Sequence, residues 1–141
     1  WNEQESVSGP GSTLGATKNI RAALPELFKK FRIKSILDIP CGDFNWMRLV
    51  EINGIDYTGA DIVKELIEKN NRQFASEKKR FQVLDLIEDP LPKADLIICR
   101  DGLVHLSDKE IKQAVKNIKK PVNVSINKIV FHPSWSIEQK D

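Results

Sequence analysis

One pattern constrains the fold of this chain more than any other. Short apolar runs alternate with amphipathic helical segments, and an acidic residue stands at or just after the end of each run. The clearest run, Ile33–Ile39, is rich in β-branched residues and is closed by Pro40 and Gly42, which is typical of a buried strand and a tight turn. Alternating strands and helices favour parallel strands joined by crossovers. The sequence therefore predicts an α/β fold with a doubly wound, mostly parallel sheet and helices on both faces.

Helical periodicity marks four segments. Apolar residues recur at three- and four-residue spacing between residues 17 and 31, and again between residues 46 and 52. A third helix follows Asp61, with Val63 and Ile67 on its apolar face. A fourth opens at Ser107, where Glu110 completes a capping box. The other predicted strands are Ile55–Ala60, Arg80–Leu84 and Ala94–Cys99, and Val122–Phe131 fits one strand or a hairpin.

The first stretch of the chain departs from this pattern. Residues 1–18 are rich in Ser and Gly and lack apolar periodicity, which is the composition of a loop. We therefore expect a flexible Ser/Gly arm or lid over residues 1–18 and one folded domain over residues 19–141.

Charge and hydropathy exclude several classes of function. The chain has 22 Lys+Arg against 20 Asp+Glu, spread evenly, so no nucleic-acid partner is indicated. No apolar run approaches the ~20 residues of a membrane span, so we expect a cytoplasmic protein without membrane association. Cys41 and Cys99 are too few for a disulfide framework and are expected to be reduced, buried thiols. The two His and two Cys lack ligand spacing, so no metal site is predicted.

Polar residues at the strand ends are the candidates for function, because ligands of parallel α/β sheets bind beyond the carboxyl ends of the strands. Asp38 and Asp43 flank the turn after the first strand, and Asp61 follows Asp38 by 23 residues. That separation is close to the ~20 residues at which dinucleotide folds place an acid on the ribose hydroxyls. The turn lacks the G-x-G-x-x-G pattern, and its two carboxylates would repel a pyrophosphate. An adenosine-containing ligand with a cationic or zwitterionic tail fits better.

Four motifs in order carry a family resemblance: Ser35–Asp43, Tyr57–Asp61, Leu84–Leu86 and Ala94–Asp101. Together they resemble the motifs of class I S-adenosylmethionine-dependent methyltransferases, over residues 33 to about 119. The Ser8–Ser12 segment resembles the arm that precedes the domain in a bacterial-type subgroup of that family. The resemblance implies a Rossmann-like fold, S-adenosylmethionine as cofactor and methyl transfer to an unidentified acceptor, with a small molecule or a sugar-like hydroxyl favoured.

The resemblance also implies a role for each strand end. The first turn would line the methionine part of the cofactor, the end of the second strand would bind the ribose, and the end of the third would meet adenine. The end of the fourth strand would face the site of methyl transfer, where a base is needed only if the acceptor must lose a proton. The implied cofactor-binding residues are Asp38, Pro40, Cys41, Gly42, Asp61, Ile62, Asp85, Leu86 and Arg100, and the catalytic candidates are Asp101 and His105.

Each candidate also has a purely structural interpretation. Asp38 and Asp43 could cap the following helix, and Asp61 could cap the helix after the second strand while it also binds a ligand. Asp85 could serve only a turn. A single histidine between two apolar residues, as His105 is, is more often packed or on the surface than catalytic.

Two other functions stay open. A nucleotide-binding oxidoreductase can use a similar sheet, although the missing glycine pattern argues against it. A non-catalytic domain derived from a methyltransferase could bind S-adenosylmethionine or serve as an interaction module. The seven-stranded domain that is usual in class I methyltransferases ends with an antiparallel strand pair, which the ten residues after Phe131 cannot supply. We therefore expect a truncated chain, missing internal loops, or a homodimer through the exposed sheet edge.

Overall fold

The computed structural model of this protein describes residues 4–120 and 129–132. Two 3₁₀ turns, Pro10–Ser12 and Met47–Leu49, accompany the regular elements. Of the predicted C-terminal strand over Val122–Phe131, the part up to residue 128 lies outside the described residues. In chain order the elements are α1 (Lys18–Lys30), β1 (Ser35–Asp38), β2 (Asp56–Asp61), α2 (Lys64–Phe74), β3 (Lys79–Val83), β4 (Leu96–Arg100), α3 (Asp108–Lys119) and β5 (Ile129–His132).

The five strands lie in one sheet of order β3-β2-β1-β4-β5, and every neighbouring pair is parallel. β1 is central, because Ile36 pairs with Tyr57 of β2 on one side and with Leu96 of β4 on the other. A parallel strand that is covered on both faces needs a continuous apolar run, and β4 is buried along its whole length. The predicted parallel sheet is therefore confirmed. β3 forms one edge of the sheet, and a homodimer through a sheet edge stays a prediction.

Helices cover both faces of the sheet. On the first face, α1 and α2 pack against alternate strand residues such as Ile36 and Leu96. On the second face, Ile118 of α3 packs with the intervening residues Leu37 and Ile97. Neighbouring residues of a strand point to opposite faces, so each apolar run supplies both cores. The predicted doubly wound arrangement is confirmed.

Two predicted helices begin where the sequence signals place them. α1 starts after Thr17, and α3 starts with the predicted capping box. The Ser107 hydroxyl accepts a hydrogen bond from the Glu110 amide at 3.4 Å, and the Glu110 carboxylate accepts one from the Ser107 amide at 2.8 Å. The backbone hydrogen bond, followed by that of the hydroxyl, lowers the pKa of Glu110. Within the described ranges, no helix has the length and apolar character needed to cross a bilayer.

The segment after β1 is not the helix that its apolar spacing predicts. Between Trp46 and Ile52 the described chain forms only the 3₁₀ turn Met47–Leu49. Val50, directly after this turn, has an extended backbone with a φ of −80° and a ψ of 132°, so the turn does not continue into a helix. The apolar residues of this segment instead fill the first core as an irregular stretch. The prediction of a helix here is wrong.

One further position of the predicted helices differs. Val63 precedes α2 and is exposed, whereas its predicted place was on the apolar face. The buried positions of α2 are Ile67 and Asn70. Asn70 is therefore a polar residue on the buried face of α2, and it contacts the site described next.

Candidate functional site

Three buried charged residues lie at the carboxyl ends of neighbouring strands. Asp38 ends β1, Asp61 ends β2 and Arg100 ends β4. Alternate residues of a strand share a face, so all three lie on the face that carries α1 and α2, in line with Ile36 and Leu96 of the first core. The sequence predicts a role for each of these residues separately. The fold brings them to one edge of the sheet.

Burial dominates the titration of Asp38, which is 2% exposed. Its carboxylate accepts a hydrogen bond from the Tyr57 hydroxyl at 2.7 Å. Desolvation raises the pKa of Asp38 from 3.8 to about 7; the Tyr57 hydrogen bond and the Arg100 charge oppose this rise, and the Asp61 charge adds to it. Burial also raises the pKa of Tyr57, which keeps its hydroxyl a donor. Asp38 is therefore only partly ionised at neutral pH.

The turn after β1 is held by backbone contacts and by α2. The Cys41 amide donates to the Ala60 carbonyl at 2.8 Å, and the Asn70 side chain donates to the Gly42 carbonyl at 2.8 Å. Gly42 has a φ of 55°, and a Cβ there would collide with the Ser8 side chain, so the position requires glycine. Burial raises the pKa of Cys41, whose thiol stays protonated. Sequence reasoning missed Asn70, although it lies three residues after the apolar Ile67.

The Asp61 carboxylate joins the ends of β1 and β2. One oxygen, Oδ2, accepts from the Gly42 amide at 3.0 Å, and the other, Oδ1, accepts from the Val63 amide at 3.0 Å. The second contact is the capping role that the sequence left open. Each carboxylate oxygen can accept two hydrogen bonds, so both retain capacity for ligand hydroxyls.

The N-terminal arm packs on the same turn. Asp43 accepts hydrogen bonds from the Ser6 hydroxyl at 2.7 Å and from the Val7 amide at 2.9 Å. The Asp43 amide in turn donates to the Ser8 hydroxyl at 2.9 Å, and Asn45 donates to the Ser12 carbonyl at 3.0 Å. Ser6 is buried, so this part of the arm packs against the turn. Asp43 holds the arm rather than capping a helix, and a lid role for the arm stays a prediction.

The two catalytic candidates lie in the loop after β4. Arg100 pairs with Asp101 at 3.0 Å between Nη1 and Oδ2. Asp101 has a φ of 57° and is partly exposed. His105 is exposed four residues further along. Asp101 thus borders the buried charges directly, and His105 lies at the surface of the loop.

The predicted adenine-binding residues occupy a turn. Asp85 Oδ1 accepts from the Ile87 amide at 2.8 Å, and the Asp85 amide donates to Asp89 at 2.7 Å. These contacts are the turn role that the sequence left open for Asp85. Leu86 packs at the border of the second core, and Ile62 is 64% exposed next to Asp61.

No group of three or more His, Cys, Asp or Glu side chains in the described part of the chain is arranged to hold a metal ion. Cys41 and Cys99 are both free and buried. Burial raises the pKa of Cys99 to about 12, so neither thiol supplies a thiolate at neutral pH.

A parallel sheet of order 3-2-1-4-5, with polar residues gathered beyond the carboxyl ends of its central strands, defines a Rossmann-like fold, in which ligands bind at that edge. Residues 15–126 match the family model described as "Methyltransferase domain". The chain therefore belongs to the methyltransferase-domain family, and its resemblance to class I methyltransferases is confirmed. Among curated proteins, no sequence matches this chain.

Solved structures share the fold at low sequence identity. The chain is similar to human N-acetylserotonin methyltransferase in complex with SAM, with a TM-score of 0.60, 21% identity, and coverage of 86% of this chain and 39% of that one. It is also similar to the PH0226 protein from Pyrococcus horikoshii OT3, with a TM-score of 0.66, 22% identity, and coverage of 84% and 58%. A third similar structure is N-methyltransferase NodS from Bradyrhizobium japonicum WM9 with S-adenosyl-L-homocysteine, with a TM-score of 0.65, 17% identity, and coverage of 81% and 60%. The chain thus spans between two fifths and three fifths of the length of these relatives.

Proposed function

We propose that this domain binds S-adenosylmethionine and transfers its methyl group to a small-molecule acceptor. The observation that carries the proposal is the 3.0 Å hydrogen bond from the Gly42 amide to Asp61. It joins the turn expected to meet the methionine part of the cofactor to the acid expected to bind the ribose. The similar proteins named as complexes with SAM or S-adenosyl-L-homocysteine support the same cofactor.

The charge of the site supports this cofactor over a dinucleotide. Asp38 and Asp61 are buried at the strand ends, with Asp43 in the turn between them. Carboxylates attract an ammonium or a sulfonium, whereas they repel the pyrophosphate of a dinucleotide. In the proposed complex, Asp61 binds the ribose hydroxyls, and Pro40 to Gly42 pass beside the methionine chain. Ile62 lies beside the adenine, with Asp85 and Leu86 at its far edge.

Methyl transfer needs little from the protein once the cofactor is bound. The sulfonium already activates the methyl group, so orientation and exclusion of water supply most of the acceleration. In the proposed reaction, the acceptor oxygen or nitrogen forms a bond to the methyl carbon while the carbon–sulfur bond breaks, which leaves S-adenosylhomocysteine. If the acceptor is a hydroxyl, its proton passes to a base in the loop after β4.

Parallel calorimetric titration tests the cofactor. We expect S-adenosylhomocysteine to bind the chain with a measurable enthalpy, and NAD and ATP to give no binding under the same conditions. NAD or ATP binding in place of S-adenosylhomocysteine would overturn the proposal. Binding of S-adenosylhomocysteine without methylation of any hydroxyl or amine acceptor would replace it by the non-catalytic cofactor-binding module.

The loop after β4 yields a prediction about turnover. If the acceptor is a hydroxyl, Asp101→Ala or His105→Ala should lower turnover by ~10²-fold or more, because a positioned base contributes about that much. Affinity for S-adenosylhomocysteine should be nearly unchanged in the variant that removes the base. Lys109→Ala, an exposed position at the start of α3, is the matched control. Full turnover in both loop variants would show that transfer proceeds without a base from this loop.

We further propose that the arm over residues 1–18 serves as a lid over the cofactor. Ser6 and Ser8 bond to the turn after β1, and Gly11 lies beside Asp101 in the loop after β4. Amide hydrogen exchange provides the test. The Val7 and Asp43 amides, which join the arm to the turn, should exchange at least tenfold more slowly with saturating S-adenosylhomocysteine. The Lys34 amide, bonded to Asp95 at the opposite end of the strands, is the control and should not change. Equal protection of the arm with and without ligand would contradict the lid role.

A further inference from the structure

Arg100 is a buried cation with unused hydrogen-bonding capacity. The residue is 7% exposed, and its Nη1 donates a hydrogen bond to Asp101 Oδ2 at 3.0 Å. Its Nε is buried and has no hydrogen-bond partner. A guanidinium carries five N–H donors in a planar fork, and a buried donor without a partner costs free energy. Arg100 therefore has a buried donor that none of the described residues uses.

The surroundings of the guanidinium form a lined subsite. Its Cζ lies 5.8 Å from the centroid of the Trp46 ring, a cation–π distance. The arm crosses it at Gly11, where a Cβ would lie 3.8 Å from Arg100 Nη1 and 2.9 Å from Asp101 Oδ2. Burial dominates the pKa of Asp38, and the nearby Arg100 charge opposes that rise. An aromatic wall, a glycine of the arm and two carboxylates thus surround the fork.

Arg100 is also the one buried cation among the residues that the structure describes. The other buried charged residues of that part, Asp38 and Asp61, are carboxylates. The buried carboxylates attract a ligand ammonium, and Arg100 is the buried group of the described residues that attracts a ligand carboxylate. Bidentate pairing with a carboxylate is the interaction to which the guanidinium fork is best suited.

We propose that Arg100 forms an oxyanion subsite that binds a carboxylate of a bound ligand. The inference rests on the proposed function, because the carboxylate belongs either to the amino-acid end of the cofactor or to the acceptor. In both cases the carboxylate uses the unpartnered Nε, and Asp101 keeps its contact with Nη1. In the proposed complex, Trp46 and Gly11 lie beside this pair.

The test compares two ligands that differ only in the amino-acid part. S-adenosylhomocysteine carries the carboxylate, and methylthioadenosine has the same nucleoside without it. In Arg100→Gln we expect the affinity for S-adenosylhomocysteine to fall by about 10- to 100-fold, the range of a hydrogen bond to a charged group, with methylthioadenosine unchanged. That result assigns the subsite to the cofactor. Arg72→Gln, an exposed position of α2, is the matched control and should change neither affinity.

Malonate serves as the probe for a carboxylate of the acceptor. If the subsite serves the acceptor, Arg100→Gln leaves both nucleoside affinities intact but abolishes the rise in melting temperature that malonate causes in the wild type saturated with S-adenosylhomocysteine. Equal loss of affinity for both nucleosides would overturn the proposal, since it would mark a structural role. Unchanged nucleoside affinities with an unchanged malonate response would overturn it as well.

Failure of the proposed function gives a different result. If the wild type binds neither nucleoside, the malonate response of the ligand-free protein decides the role of Arg100: its loss in Arg100→Gln supports the subsite, and an equal or absent response in both proteins overturns it. Arg100→Lys is the second variant, to be used if Arg100→Gln does not fold. It keeps the charge but lacks the fork, so S-adenosylhomocysteine should weaken relative to methylthioadenosine by less than in Arg100→Gln.

Discussion

Asp38→Asn should make the protein more stable than the wild type at pH 8, although it removes a carboxylate at the centre of the site. Folding raises the pKa of Asp38 from 3.8 to about 7. The folded state therefore holds a proton that the unfolded state releases between those values, and stability falls as the pH rises through this range. The full rise in pKa corresponds to a loss of roughly 4 kcal/mol in the free energy of unfolding, because each tenfold change in proton affinity is worth about 1.4 kcal/mol.

Asparagine avoids this penalty because it does not ionise, and its amide oxygen can still accept the Tyr57 hydrogen bond. Denaturant unfolding at pH 5 and pH 8 measures the effect. We expect the advantage of the variant to grow between the two pH values, by up to about 3 kcal/mol. Asp56→Asn, an exposed position of β2, is the control and should change stability by less than about 0.5 kcal/mol. A variant less stable than the wild type at pH 8 would mean that the ionised Asp38 stabilises the fold.

Asp61→Ala should weaken the binding of S-adenosylhomocysteine at least tenfold. The carboxylate is proposed to bind the ribose hydroxyls, and hydrogen bonds to a charged group contribute roughly 1.5–3 kcal/mol. The substitution also leaves the Gly42 and Val63 amides without their side-chain acceptor. Calorimetry of the two proteins gives the ratio of affinities, and an unchanged affinity would refute the ribose role.

A pair of ligands separates direct binding from support of the turn. Adenosine and 2′,3′-dideoxyadenosine differ only in the hydroxyls that Asp61 is proposed to bind. The wild type should prefer adenosine, and Asp61→Ala should lose that preference. If the variant weakens both nucleosides equally, Asp61 acts only by holding the turn after β1.

Much of the fold could be predicted because its signals are local. The apolar runs of β1 and β4 specify buried parallel strands, and Ser107 with Glu110 specifies the start of α3. The segment after β1 was wrongly predicted to be a helix, because helical spacing of apolar residues also fits an irregular stretch packed on a sheet. The extended backbone of Val50 ends the turn, and the spacing of apolar residues does not reveal it.

Some residues of the candidate site could also be predicted from the sequence, and others could not. Asp38, Asp61 and Arg100 could be found because each follows an apolar strand. The supporting residues could not, because their contacts join distant parts of the chain. Asp43 holds Ser6, which lies 37 residues away, and Asn70 holds Gly42 across 28 residues. A polar residue on the buried face of α2 is the one local sign of such a role.

A crystal structure of the chain with S-adenosylhomocysteine would test the central claim most directly. The account predicts both ribose hydroxyls within about 3.2 Å of the Asp61 carboxylate. It also predicts the amino-acid chain beside Pro40 to Gly42 and the sulfur facing Asp101. A ligand bound elsewhere, or one at this edge whose ribose does not contact Asp61, would contradict it.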